Sequence, residues 1–240
     1  ILRGRQGVLR QHATGIALMG VFSSALPFVL IAWAMLSITA GLASILNATV
    51  PIFTALIGAL WLGERLGAWR TSGLAVGFGG VLLLAADKAD FKPGGSGWAI
   101  AAMLLATLSY GFAANLARRR LTGVPALVNA AGSQIVSAIV LLPFAVWFWP
   151  PTTPGWMAWS AAVVLGVGCT ALAFLLFFRL IANVGASRAV TVTFLIPLFG
   201  VLWGSLFLGE TLNAGMLVGG SVVVLGTALA TGVLHLPVRA

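Results

Sequence analysis

The chain has 240 residues, 60% hydrophobic and 7% charged; ordinary soluble domains hold roughly 45–50% and about 25%, so no water-soluble fold can cover this much apolar surface. The formal charge is +9, but the basic residues flank apolar stretches instead of sharing one folded face, which argues against nucleic-acid binding. A membrane-spanning helix needs about 20 largely apolar residues, because a helix satisfies its own backbone in hydrocarbon. Taken in order, the uncharged stretches predict eight spans, at 14–36, 40–62, 68–86, 96–117, 124–148, 157–180, 186–208 and 213–234. The two longest stretches are divided at Ser37–Thr39 and at the turn-forming run Pro150-Pro151-Thr152-Thr153-Pro154-Gly155.

The distribution of charge predicts orientation. With the N-terminal end inside, Arg3, Arg5, Arg10, Arg65, Arg70, Arg118, Arg119, Arg120, Arg179, Arg188 and Arg239 share one side and only Lys88 and Lys92 the other, beside Asp87 and Asp90. Short loops rich in Lys and Arg stay cytoplasmic. The expected location is therefore the inner (plasma) membrane of a bacterial-type cell, with a cytoplasmic C-terminus. The single cysteine, Cys169, cannot form an internal disulfide. No cleavable leader is recognisable, and because the chain starts with Ile the beginning is read as truncated or excised.

An offset of 146 residues aligns Pro51 with Pro197, Phe53 with Phe199, Leu62-Gly63-Glu64 with Leu208-Gly209-Glu210, Leu66 with Leu212, and Gly73 with Gly219. Charged residues are scarce, so a matched Glu behind a matched Leu-Gly and Pro indicates an internal repeat. The repeat predicts two units, 1–88 with three helices and 89–240 with five. Two helices are then missing from the first unit, in about fifty residues upstream at ~20 per helix. Five is odd, so the second unit enters the membrane inverted. Inverted repeats are a transporter architecture, with a midplane site between halves that rock to give alternating access.

The segments Ala40-Gly-Leu-Ala-Ser-Ile-Leu-Asn-Ala-Thr-Val-Pro51 through Leu62-Gly-Glu64, and Gly185-Ala-Ser-Arg-Ala-Val190 through Pro197 to Leu208-Gly-Glu210, resemble the paired EamA domains of the drug/metabolite transporter superfamily. The resemblance covers nearly the whole chain. It implies an all-α polytopic fold of ten helices in two inverted five-helix repeats, with both termini cytoplasmic, of which eight are present here. It also implies efflux of small metabolites such as amino acids, related compounds or drugs. The absent first pair helps form the pathway in this family.

Polar side chains inside hydrocarbon are the default candidates for such a pathway. Hydroxyls often bond back to their own helix and amides often join helices, so packing competes with every assignment. The candidate substrate-binding residues are Trp33, Asn47, Thr49, Tyr110, Asn115, Gln134 and Thr193: amides can read a carboxylate or ammonium, and Trp33 and Tyr110 offer an aromatic wall. Pro51 and Pro197 are candidate hinges. Glu64 and Glu210 are candidate gates, with helix capping behind a Gly terminator as the plainer reading and Arg65 or Arg70 as the expected partner of Glu64. Gly73-x3-Gly77, Gly200-x3-Gly204 and Gly215-x3-Gly219 predict close helix packing and leave homodimerisation open. Trp147, Trp149, Trp156 and Trp159 read as an interfacial belt.

Nothing in the residues supplies a nucleophile with its base, a metal-ligand set or a phosphate-binding loop, so no enzyme, metal or cofactor is expected; the partners are a small-molecule substrate and the lipid bilayer. No Asp, Glu or His is placed mid-span, leaving proton coupling without an evident carrier. The rival reading is a non-transporting scaffold or assembly protein.

Overall fold

The computed structural model describes residues 6–86, 97–173, 176, 179–180, 183 and 194–233. The expected loop charges Asp87, Lys88, Asp90 and Lys92, and the candidate Thr193, lie outside the described residues. The described residues are helical throughout their regular structure. In chain order they form α1 (Gln6–Gln11), α2 (Ala13–Gly20), a π-helical stretch (Val21–Ala25), α3 (Leu26–Ala34), α4 (Ala40–Asn47), α5 (Val50–Leu62), α6 (Ala68–Ala86), α7 (Trp98–Arg120), α8 (Ala126–Trp147), α9 (Trp156–Val163), a second π-helical stretch (Val164–Leu172), α10 (Leu195–Leu208) and α11 (Ala214–Thr231).

Six continuous helical segments are long and apolar enough to cross a bilayer: Ala13–Ala34, Ala40–Leu62, Ala68–Ala86, Trp98–Arg120, Ala126–Trp147 and Ala214–Thr231. Two shorter apolar helices, Trp156–Leu172 and Leu195–Leu208, occupy part of the remaining two predicted spans. The division at Ser37–Thr39 is real: the backbone leaves α3, and the Thr39 hydroxyl accepts the Leu42 N–H at 3.2 Å to start α4, as a short polar side chain does at a helix N-cap. The run before Gly155 is likewise non-helical.

Both hinge prolines stand in the first turn of a helix. Pro51 is the second residue of α5, after the turn at Ala48-Thr49 that separates it from α4, and Pro197 is the third residue of α10. A proline there loses no helical hydrogen bond, so the break lies in front of the ring instead of at a kink behind it. Both Leu-Gly-Glu segments end their helices through a left-handed glycine, Gly63 at φ 70° and Gly209 at φ 65°.

The closest helix pair is α6 with α11. A Cβ on Gly226 would lie 2.9 Å from the Gly73 carbonyl oxygen, and one on Gly80 would lie 3.0 Å from that of Gly219. These glycines let two backbones approach where hydrocarbon provides no hydrophobic drive and association rests on packing. The larger core lies between α4, α7 and α11, around Leu42, Leu46, Val81, Leu84, Ile100, Met103 and Val223. Leu198, Phe207, Ile139 and Trp147 remain exposed, a surface suited to lipid.

Candidate functional site

Polar groups inside the helical core gather in two places, and the sequence determines each through helical spacing. The first lies between the turn ahead of Pro51 and the middle of α7. Thr49 and Thr107 are fully buried; their hydroxyls are 3.1 Å apart and reach the carbonyls of Leu46 at 2.7 Å and Leu104 at 2.9 Å. The Thr227 hydroxyl of α11 donates to the Ala48 carbonyl at 2.8 Å. Three helices thus supply hydroxyls where the α4–α5 break exposes backbone, because an unpaired carbonyl in a dry interior is costly.

The second cluster lies at the C-terminal end of α5. Asn115 is fully buried, and its amide nitrogen donates to the carbonyls of Thr54 and Gly111, each at 2.9 Å. Its oxygen accepts from Arg118 at 3.4 Å, and Arg118 in turn forms an ion pair with Glu64. Glu64 therefore reaches across to α7 instead of pairing with Arg65 or Arg70. Beside this pair the Arg119 guanidinium sits 5.0 Å above the Trp61 ring, which stacks on Phe112 at 5.1 Å. Phe112 meets Phe22 edge-on at 4.8 Å, carrying the aromatic column to the first π-helical stretch.

Glu210 has a different arrangement. Its carboxylate accepts the Ala40 N–H at 2.7 Å and the Gly41 N–H at 3.0 Å. It thus caps α4, far away in sequence, whereas α11, the helix that follows it, is capped by Asn213 accepting from Met216 N–H at 2.6 Å. Capping was the right chemistry for Glu210, but the capped helix is not its neighbour.

The remaining candidates stand apart from these clusters. Trp33 is 49% exposed near the end of α3. Asn47 closes α4, Tyr110 sits within α7 and Gln134 within α8, all three half-buried. The Asn129 side-chain oxygen, on α8, is buried with no partner among the described residues. Of the proposed site residues, the structure joins Thr49 to Thr107 and Asn115 to Glu64 through Arg118; it makes no such link for Trp33, Asn47, Tyr110 or Gln134. Arg118 and Thr107 were not singled out from sequence. Arg118 stood inside a basic run read as an orientation signal, although its spacing of three from Asn115 places both on one helix face.

An elongated apolar cleft of about 460 Å³ opens between α4, α10 and α11, bordered by Ile45, Pro197, Val201, Met216 and Gly220. Among the described residues no group of three or more His, Cys, Asp or Glu is placed to hold a metal ion.

Long apolar helices crossing one another with buried hydroxyls and amides between them define a multi-pass membrane protein. The chain matches the EamA-like transporter family over residues 2–86 and 97–232, and it belongs to that family, whose members are transporters and not enzymes. It is 28% identical over 232 residues to a probable terminal-alkyne amino-acid exporter of Streptantibioticus cattleyicolor, covering 95% of this chain and 77% of the relative. It is 29% identical over 194 residues to the uncharacterized transporter YvbV of Bacillus subtilis, covering 79% and 62%. The uncharacterized inner membrane transporter YedA of Escherichia coli is 25% identical over 201 residues, covering 81% and 63%. A solved crystal structure shares the fold with TM-score 0.59 at 22% identity, over 91% of this chain and 75% of that one.

Proposed function

We propose that this chain is the larger part of a ten-helix exporter of small metabolites, amino acids or related compounds and drugs among them, working by alternating access between two inverted five-helix repeats. Residues 1–88 hold three helices of the first repeat, completed by two upstream, and 89–240 hold the second. The observation that carries this reading is the recurrence of structure at the offset of 146 residues. The left-handed glycines Gly63 and Gly209 recur. So does the donation from Glu64 N–H to the Gly58 carbonyl at 3.2 Å, repeated by Glu210 N–H and Gly204 at 3.1 Å.

The α6–α11 contact supports the same reading. Exchanging the repeats turns the pair Gly73–Gly226 into Gly219–Gly80, and both pairs are in close approach. A twofold relation between inverted halves produces that exchange. The amino-acid exporter among the relatives supports the substrate class. Basic residues at one set of span ends support a plasma-membrane orientation with both termini cytoplasmic.

Asn115 has its amide hydrogens committed to backbone carbonyls, so it serves best as an interhelical tie. Asn47, Tyr110 and Gln134, together with Trp33, Thr49 and Thr193, remain the residues proposed to meet substrate. The test is efflux of a metabolite panel from cells expressing the chain with its upstream codons restored. Export that falls in Asn47→Ala or Tyr110→Ala at unchanged membrane insertion supports the assignment. Insertion without export of any panel member favours a scaffold.

A further inference from the structure

Glu64 and Glu210 follow the same turn, yet their carboxylates do different things. Glu64 pairs with a side chain, Arg118 of α7. Glu210 bonds only to backbone, the N–H groups of Ala40 and Gly41. With Thr39 accepting from Leu42, the first three donors of α4 are filled. The two glutamates sit at opposite ends of one continuous span, Ala40–Leu62 of 23 residues, roughly 34 Å apart at 1.5 Å per residue. They therefore stand at opposite membrane faces.

We infer that the Glu210 carboxylate is a releasable latch: it clamps the α10–α11 turn onto the start of α4 at one membrane face, and the Glu64–Arg118 pair is its differently built counterpart at the other. The inference rests on the alternating-access reading and names a moving part of it. The surfaces under the latch are smooth. Gly200 lies against the Ser44 side chain, and Gly204 faces both the Glu210 carboxylate and the Gly41 nitrogen, the latter at 3.5 Å from an added Cβ. Small residues facing each other let α10 shift over α4 without unthreading interlocked side chains.

The mobile piece is also short. α4 has eight residues and is separated from α5 by the turn at Ala48-Thr49. It can tilt while α5 keeps its packing on α7. Releasing the carboxylate leaves two N–H groups at a membrane face, where water replaces the lost acceptor. The bond is therefore exchangeable, unlike the buried Asn115 tie. Each carboxylate also needs a glycine on its own helix: a Cβ on Gly204 would collide with a Glu210 oxygen, and a Cβ on Gly58 would lie 3.0 Å from a Glu64 oxygen.

The test uses the full-length protein in membrane vesicles, with Cys169→Ala removing the native thiol and Ser44→Cys reporting access to the α4–α10 seam. An impermeant maleimide is added in turn to right-side-out and inverted vesicles. Glu210→Ala and Gly204→Ala, the second keeping the charge but evicting it, are each expected to raise labelling about tenfold from one face only, a population shift of the size two charge-assisted bonds can hold. Glu210→Gln, retaining one acceptor, is expected to fall between. Unchanged labelling in both variants at normal insertion overturns the latch, as does an equal rise from both faces, which marks a static cap whose loss loosens the fold. Labelling needs no substrate, so a failed latch is distinguishable from a failed transporter reading, which the efflux assay decides.

Discussion

Gly226→Ala tests the account of how this helix bundle holds together. One added methyl would lie 2.9 Å from the Gly73 carbonyl oxygen and still closer to the backbone of Gly77. Neither neighbour is a flexible side-chain end, so α6 and α11 must separate, by about 1 Å to restore ordinary contact. A gap of that size forfeits a quarter to a half of each facing dispersion contact, and overpacking of this kind costs about 1–3 kcal/mol. The matched control is Gly79→Ala on α6, where an added Cβ meets nothing within 4 Å. There the change removes only glycine's entropic penalty and is worth roughly 0.5–1 kcal/mol in the stabilising direction. Thermal unfolding in detergent, followed by tryptophan fluorescence, should place the midpoint of Gly226→Ala below wild type and that of Gly79→Ala at or above it. Equal midpoints for the two variants would refute the claim that the α6–α11 pair is held by backbone approach.

Asn115→Ala removes two buried hydrogen bonds and orphans the Thr54 carbonyl; it should cost about 1–3 kcal/mol in the same unfolding assay. Arg118→Ala, whose side chain is 55% exposed opposite a Glu64 at 31%, should cost no more than about 1 kcal/mol, and a reversed order would contradict the burial argument. Gly209→Ala forces a side chain into φ 65° and should lose about 1–2 kcal/mol, visible as a lower midpoint. Asn47→Ala and Tyr110→Ala should reduce efflux with insertion unchanged; normal export by both would remove them from the proposed pathway.

Most of the helical layout could be read from charge spacing, because a charged residue inside hydrocarbon is rare enough to mark where a span ends. The Thr39 cap, the glycine terminators at Gly63 and Gly209, and the α6 glycines were likewise local signals, each tied to one backbone conformation or one close approach. What escaped was long-range. Nothing local to Glu210 says that its carboxylate reaches Ala40, since the element that would ordinarily receive it begins four residues later and has its own cap in Asn213. Arg118 was hidden by a second meaning: a basic triplet at a span end is sufficiently explained by orientation, so its role in holding Glu64 left no separate trace. Composition likewise could not tell a satisfied amide such as Asn115 from an uncommitted one such as Asn47, because the difference lies in which carbonyls the fold brings near.

The π-helical stretch at Val21–Ala25 has a consequence for how this protein tolerates insertions and deletions. The Ser23 hydroxyl bonds back to the Met19 carbonyl at 2.6 Å, and the Phe22 carbonyl is taken by Ser109 of α7 at 2.7 Å, so the widened turn is held from two sides. A π turn stores one residue beyond helical register. Removing a residue there would let the segment rewind as plain α-helix, still long enough to span, while everything after it rotates by ~100° about the axis. Phe28 and Trp33 would change sides, and buried Ala34 would turn outward. The second stretch, Val164–Leu172, contains the positions equivalent to the first at the 146-residue offset. A one-residue deletion in either is thus a lesion of facing and not of length, inserting normally and presenting the wrong side to its neighbours.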